Sequence, residues 1–466
     1  MKPDGVIPDV AATDPASVAA RLDGLPVGRW HRGVLAAVGL GTFFNFFEVA
    51  LGSLLVPLLP AGWTATTAER SLLVGATFAG EFLGALLLSG LADRHGRRRM
   101  FQLNLLAYAV LSVGAAFAPD AATLIALRLL LGVGLGAELI LVDTYLTELM
   151  PSAHRGRMLA AAYGLGMTAV PVAGLLAAAL PHTLAGCASW RWLMVLAGLG
   201  ALRVLLLRRS LPESPRWLAA HHPERVAEAM AGIEALAGRP STAVPASATW
   251  SRAHPAGHSR SRTPPGEAPR PRLWAPALRR RTLLLCVMET LGPIGFYGFA
   301  TIAPLVLVDK GYSVVESLTY SALTALGYPL GCLLLTRLAD RFQRRTLVIV
   351  SSLLVSVAGT VFGTGTDVLV IVPAGLATTF VGVVNATVSR AYGAELFPTE
   401  VRNTALGRTY ALSRLVAALL PFCTVTVLDA LGAGPLYLGC AVLIALMSVA
   451  VAVLGPRTNS VRLEAV

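Results

Sequence analysis

Twelve runs of mostly apolar residues, each close to the ~20 that a helix needs to cross a bilayer, dominate this chain. They fall at 33–59, 71–91, 100–118, 122–146, 158–180 and 192–208, then at 282–308, 317–338, 346–364, 367–391, 403–427 and 433–455. Inside lipid every backbone N–H and C=O must find a partner within the protein, so runs of this length are helices. Composition agrees. Of the 466 residues 55% are hydrophobic and 14% charged, where a soluble protein carries roughly 25% charged. The expected fold is an all-α membrane protein with twelve transmembrane helices.

The connections between the runs alternate in charge. One set carries Arg94, Arg97, Arg98, Arg99, Arg155, Arg157, Arg208, Arg209, Arg279, Arg280, Arg281, Arg341, Arg344, Arg345 and Arg402. The other holds little beyond Arg70, Arg191 and Lys310. The positive-inside rule puts the Arg-rich connections and both termini in the cytoplasm, as for a multi-pass protein of the plasma (inner) membrane. The net charge of +12 is spread over these short clusters and forms no single patch, which argues against nucleic acid as a partner. The five cysteines show no CxxC or metal spacing, and no metal or cofactor is expected. No cleavable signal peptide is visible in the polar opening residues.

An internal repeat divides the chain. Leu91-Ala92-Asp93-Arg94 recurs as Leu338-Ala339-Asp340-Arg341, and Glu148-Leu149-Met150-Pro151 with Arg155 recurs as Glu395-Leu396-Phe397-Pro398 with Arg402. Both recurrences lie at an offset of 247. Two motifs at one offset argue for two pseudo-symmetric six-helix bundles, an arrangement common in secondary transporters. The expected organisation is a cytoplasmic segment over 1–32, a bundle over 33–218, a cytoplasmic linker over 219–276, a second bundle over 277–457 and a tail over 458–466. Within the linker, His222 to Gly238 reads as a short helix, and the Pro/Ser/Arg-rich remainder reads as disordered.

Gly90-Leu91-Ala92-Asp93-Arg94-His95-Gly96-Arg97-Arg98 resembles the loop motif between helices 2 and 3 of the major facilitator superfamily. In the second copy Arg337 and Gln343 replace the two glycines. Carboxylates beside guanidiniums at helix ends make charge-assisted bonds that can form in one conformation and break in another. The candidate cytoplasmic gate is therefore Asp93, Arg97, Glu148 and Arg155 in the first half, with Asp340, Arg344, Glu395 and Arg402 in the second. A narrower resemblance covers most of the chain. It rests on Ala20-Arg21-Leu22-Asp23-Gly24-Leu25-Pro26, on Arg128 with Gly132-Val133-Gly134-Leu135-Gly136-Ala137-Glu138, and on Trp190-Arg191-Trp192. Pro212-Glu213-Ser214-Pro215-Arg216-Trp217-Leu218 and Ser413-Arg414 complete it. Together these resemble the metabolite:proton symporter branch, which includes niacin and aromatic-acid permeases and is similar to synaptic vesicle glycoprotein 2. Sugar porters share some of these motifs.

A charge at the centre of a membrane helix costs ~2.5–3.5 kcal/mol on insertion scales, so each one is a functional candidate. The acids are Glu48, Glu81, Glu138, Asp143 and Glu289, and the bases Arg128 and Arg414. Glu48 and Asn45 share a face of helix 1. The resemblance implies acids near both positions, so Asn45 is a departure and the proton role falls to Glu48. It also implies that Arg128 pairs with the helix 1 acid. The two lie at different depths, ~9 Å and ~18 Å from the outer side, a gap that long side chains could bridge. A fixed structural salt bridge is the competing reading.

Arg414 is the candidate anchor for a substrate carboxylate, since guanidinium binds carboxylate bidentately. A permanent acidic partner is its alternative. Glu138 and Asn385 share the 247 offset and are expected to face each other across a central cavity. Glu81, between Gly80 and Gly84, reads as a helix-packing hydrogen bond. Asp143 and Glu148 read as part of the latch, and Glu289 as too near the cytoplasmic end to reach substrate. Phe296, Tyr297 and Phe299 offer aromatic surface. Leu291-Gly292 and Tyr297 stand where sugar porters carry Gln-Gln and Asn, and the chain has just two glutamines, Gln102 and Gln343.

No GxSxG, HExxH, Walker A or dinucleotide fingerprint occurs in a suitable context, so an enzyme is not expected. The leading expectation is a monomeric, alternating-access symporter that takes a small organic acid, aromatic in kind, together with protons. A proton-driven exporter of drug-like or cationic compounds, a sugar-type porter and a non-transporting membrane sensor stay open beside it.

Overall fold

The computed structural model describes residues 15–64, 66–88, 91, 95–151, 154–181, 183–237, 273–300, 302–338, 343–397 and 399–456. Among the described residues twelve helices form the membrane-spanning set. In the first half they are α1 (Arg29–Leu54), α2 (Thr67–Leu87), α3 (Arg97–Ala115), α4 (Ala121–Leu149), α5 (Arg155–Met167 continued by Ala169–Ala179) and α6 (Ser189–Arg208). The second half has α7 (Pro276–Ala300 continued by Ala303–Asp309), α8 (Val314–Ala325 continued by Gly327–Leu338), α9 (Arg344–Thr364), α10 (Val368–Glu395), α11 (Thr399–Leu431) and α12 (Ala433–Leu454). Eleven are long and apolar enough to span a membrane by themselves. The exception is α3, whose first turn is Arg97-Arg98-Arg99 and whose second holds Gln102 and Asn104. It packs between α4 and α6 and completes the set.

The repeat extends to the way helices start. Thr66 and Glu69 form a capping box on α2, with the Thr66 N–H donating to Glu69 over 2.9 Å. Ser313 and Glu316 do the same for α8 at the same distance, 247 residues on. Asp120 caps α4 by accepting from the Thr123 N–H, and Asp367 caps α10 by accepting from the Leu369 N–H, again 247 apart. Each cap satisfies N–H groups that a helix start leaves free. The crossings repeat as well. A Cβ on Gly84 would lie 2.0 Å from the Val133 carbonyl oxygen of α4, and one on Gly331 would lie 2.6 Å from the Phe380 carbonyl oxygen of α10. Small residues let these backbones touch.

Neighbour relations inside the halves match. In the first bundle α1 packs on α5, α2 on α4, and α3 on α4 and α6. In the second α7 packs on α11, α8 on α10, and α9 on α10 and α12. The bundles meet along two seams, α2 with α11 and α5 with α8. Outward faces keep large apolar side chains exposed, among them Leu87, Val110, Leu333 and Val453, as lipid contact requires.

Two features differ from the sequence expectation. Several helices run past their apolar windows: α7 begins at Pro276 and α11 spans 33 residues. Helical hydrogen bonding continues where hydropathy has already dropped. The opening segment also contains a helix, Pro15–Asp23, which buries Val18 and Leu22 against Trp217 and against Met230 and Ile233 of helix Val226–Leu236. Arg21 clamps Glu234 through two bonds of 2.9 and 3.0 Å. The expected short linker helix is thus present, as Pro223–Arg225 and Val226–Leu236. The Pro/Ser/Arg-rich stretch 239–272 lies outside the described residues.

Candidate functional site

The two ends of the bundle interface differ. At the Arg-poor end the seams are shut. Arg70 of α2 pairs with Asp429 of α11 at 2.7 Å, and Thr67 donates to the same carboxylate. The Ser71 hydroxyl donates to the Pro421 carbonyl. A Cβ on Gly174 of α5 would lie 2.8 Å from Ala322 of α8. Only about 70 Å³ of space remains there, lined by Ser53, Val170, Ser321 and Tyr328 among others. Toward the Arg-rich end a cavity of about 790 Å³ opens between the bundles, from Phe46, Phe296 and Tyr297 down to Thr147, Gly156 and Leu406.

Among the described residues four charged ones line this cavity: Asp143, Glu289, Arg390 and Arg414. Arg414 is 3% exposed. Its Nη1 donates to Glu81 of α2 over 2.8 Å and to the Tyr297 hydroxyl over 2.9 Å. Its guanidinium also lies over the Tyr297 and Tyr410 rings at 5.2 and 4.9 Å. Glu81 thus makes a hydrogen bond between helices, to α11 of the other bundle. The glycines face α4, while the carboxylate crosses to the other bundle. Arg390 of α10 is exposed to the cavity, and among the described residues its one hydrogen bond is 3.4 Å to the Tyr163 hydroxyl. Tyr163 donates to Asp143 over 2.9 Å, and the Tyr163 and Tyr410 rings flank Arg390. Asp143 and Arg390 are 247 residues apart, as are Tyr163 and Tyr410, so this cluster sits across the pseudo-twofold axis. Sequence reading missed Arg390. The shared offset from Asp143 was the available signal.

Three expectations change here. Glu289 lines the cavity and faces Ser413, so it is not too near the helix end. Asp143 belongs to the cavity wall as well as to its mouth. Glu138 does not face Asn385. Asn385 borders the cavity, with its amide donating to Ser351 and Ser352 at 2.9 and 2.8 Å. Glu138 turns into its own bundle, where Arg208 binds it at 2.6 Å and Asn104 donates at 3.2 Å. Arg208 had read as a loop residue because it ends the apolar run. It is 1% exposed, donates to the carbonyls of Ala37 and Val38, and lies over Phe101. Gly41 makes this possible: a Cβ there would stand 1.8 Å from the Arg208 Nη2.

Glu48 and Arg128 are both fully buried inside the first bundle. They make no direct ion pair. Arg128 Nη2 donates over 3.2 Å to the backbone carbonyl of Glu48, which resolves the mismatch in depth. The Glu48 carboxyl meets the Ser112 hydroxyl of α3, and that hydroxyl also lies 2.9 Å from the Met194 carbonyl of α6. Glu48 Oε2 and Arg128 Nη1 and Nε have no protein partner. Asn45 sits in the same interior and donates to the Leu135 carbonyl over 3.0 Å.

Among the candidate gate residues two intra-bundle ion pairs are present. Arg97 binds Glu148 at 3.2 Å and Arg344 binds Glu395 at 2.7 Å, at equivalent positions. Arg155 starts α5 with its Nε unpartnered. Asp93, Asp340 and the Arg402 side chain lie outside the described residues. Glu213, quoted above as part of a motif, accepts from the Arg97 and Arg98 N–H groups over 2.9 and 3.1 Å and so holds the start of α3.

Two pseudo-symmetric six-helix bundles around a central cavity that carries a few charged groups, sealed at one end, define a membrane carrier. The chain matches the family described as "Sugar (and other) transporter" over residues 29–466 and belongs to it, within the major facilitator superfamily. It is a multi-pass transporter and not an enzyme. It is 28% identical over 404 residues to the niacin transporter NiaP of Acinetobacter baylyi, covering 85% of this chain and 87% of that one. It is 28% identical over 329 residues to the gallate transporter of Pseudomonas putida, covering 70% of each. The fold is similar to the partially occluded inward-open xylose transporter XylE of Escherichia coli, with TM-score 0.72 and 17% identity over 93% of this chain and 100% of that one.

Proposed function

We propose that this chain is a proton-coupled symporter of a small aromatic carboxylic acid, working by alternating access, with its Arg-rich end in the cytoplasm of a plasma (inner) membrane. The observation that carries this reading is the cavity. Its ~790 Å³ suits a small molecule, and its wall sets the guanidiniums of Arg390 and Arg414 among the rings of Tyr163, Phe296 and Tyr297. A carboxylate would bind the first kind of group and an aromatic ring the second. Two relatives are named for niacin and gallate, both aromatic acids.

Proton coupling rests on Glu48. The Ser112 hydroxyl carries one hydrogen, yet it faces a carboxyl oxygen and a carbonyl oxygen. Ser112 can share its hydrogen between the two oxygens when Glu48 is ionised, or donate to Met194 and accept from Glu48 when Glu48 is protonated, so the carboxyl keeps a partner in either state. Arg128, held on the Glu48 carbonyl, is the charge that would favour release of the proton.

A second reading, a carrier of organic cations, is favoured by Asp143 and Glu289 on the same wall. Flux into proteoliposomes separates the two. The expected result is uptake of nicotinate or benzoate driven by an inward proton gradient, with accumulation lost in Glu48→Gln. Gradient-driven movement of tetraalkylammonium ions without acid uptake would replace the first reading by the second.

A further inference from the structure

The Glu81–Arg414 pair joins α2 to α11 across the moving interface, inside the membrane, with side chains 1% and 4% exposed. Within the organic-acid reading, we propose that Glu81 is a second proton-binding residue, taking up a proton when a carboxylate docks on the free edge of Arg414, so that anion and proton enter one site together.

The donor count supports this. Arg414 uses one nitrogen, Nη1, for both Glu81 and Tyr297. Its Nε has no partner, and its Nη2 makes no hydrogen bond to a described residue. That Nε–Nη2 edge is the one that binds a carboxylate bidentately. The residue lines the cavity, but its Nε is covered, so an incoming acid meets Nη2 first and engages the full edge as the side chain turns to uncover Nε. Docking would leave two carboxylates on one guanidinium in a buried site. Two like charges so placed cannot both stay ionised. The Glu81 backbone is fixed on α4, with Gly80 against Gly132, Gly84 against Val133 and Gly136 against Glu81 itself, so the carboxyl stays within reach of Arg414. A neutral Glu81 can still accept from Nη1 through its carbonyl oxygen, so the bundles stay linked while the charge balances. The balance is one anion and one proton in, with the guanidinium neutralised by substrate instead of by Glu81.

The other titratable groups around the pair are Tyr297 and Glu289 on α7, Tyr410 on α11 and Arg390 on α10. The test must single out Glu81 among them. Calorimetry of benzoate binding to the purified full-length protein, in buffers of different ionisation enthalpy, counts protons taken up per ligand. Wild type should take up close to one, with affinity falling by up to about tenfold per pH unit as the pH rises. Glu81→Gln should bind benzoate with no uptake and little pH dependence. Uptake retained in Glu81→Gln, or binding abolished by Arg390→Ala and untouched by Arg414→Ala, overturns the proposal. If neither benzoate nor nicotinate binds wild type while a cation does, the organic-acid reading itself has failed. Should the glutamine variant not fold, infrared difference spectra of wild type and Glu81→Asp decide. A protonated-carboxyl band should appear on binding and shift in the aspartate variant, and a band that does not shift overturns the assignment.

Discussion

The two bundles share helix caps, glycine crossings and gate pairs, yet they place their buried charges in opposite ways. The first bundle turns four of its buried charges inward, while its Glu81 and Asp143 face the seam and the cavity. Glu138 and Arg208 pair within it at 2.6 Å, and Glu48 and Arg128 are wholly enclosed by α1, α3, α4 and α6. The second bundle turns its arginines outward, Arg390 into the cavity and Arg414 across the seam to Glu81. Where the first half has Glu48 and Ser112, the second has Gly295 and Gly359 at the same offset. On the proposed function, one half would hold the proton site and the other the recognition surface. The interface is where the two charge systems meet.

The largest expected effect tests whether the first bundle's charges are structural. Arg208→Met removes the charged partner of buried Glu138, which should cost ~3–5 kcal/mol, read as a large drop in thermal unfolding temperature. Adding Glu138→Leu should recover much of it, because an apolar pair avoids the desolvation penalty. Arg390→Met, facing the open cavity, should change stability by no more than about 0.5 kcal/mol. Equal losses at Arg208 and Arg390 would erase the contrast between the bundles.

Recognition in the second bundle comes next. Arg414→Ala removes charge-assisted hydrogen bonds of ~1.5–3 kcal/mol, so benzoate should bind about ten- to a hundredfold more weakly in calorimetry. Unchanged affinity would move recognition elsewhere. A comparable effect on stability tests the shared ground plan. Gly84→Ala and Gly331→Ala each drive a methyl into a facing carbonyl and should each cost ~1–3 kcal/mol. A marked difference between them would show that the two crossings are not equivalent in strength.

Much of this architecture was legible because its causes are local or repeated. Apolar length marked the helices, and one offset marked the duplication. That offset also aligns the Thr66 and Ser313 caps and the Asp120 and Asp367 caps. Partner choice was not legible. Arg208 closes an apolar run, where hydropathy cannot distinguish a loop arginine from one folded back under Phe101. Glu81 lies 333 residues from Arg414, and only the seating of one bundle on the other brings them together. Direction on a helix misled as well. Glu138 and Asn385 share the offset, but each turns into its own bundle, Glu138 to Asn104 and Arg208 and Asn385 to Ser351 and Ser352, so they do not meet across the cavity.

The smallest expected effect concerns the sealed end. Arg70 and Asp429 are about three-tenths exposed, and such a pair is worth ~0–1 kcal/mol. Closure there also draws on the Ser71 bond to Pro421 and on Gly174 against Ala322, which salt does not screen. Arg70→Ala should therefore loosen the seal without opening it. The reporter is Ser53→Cys, in the small enclosed space at that end, labelled by a membrane-impermeant maleimide. Labelling should rise by no more than about fivefold, the population shift that ~1 kcal/mol allows. High salt should raise wild-type labelling toward the variant's level and leave the variant unchanged. A much larger rise would mean that a single exposed ion pair, and not close helix packing, holds the two bundles together at this end.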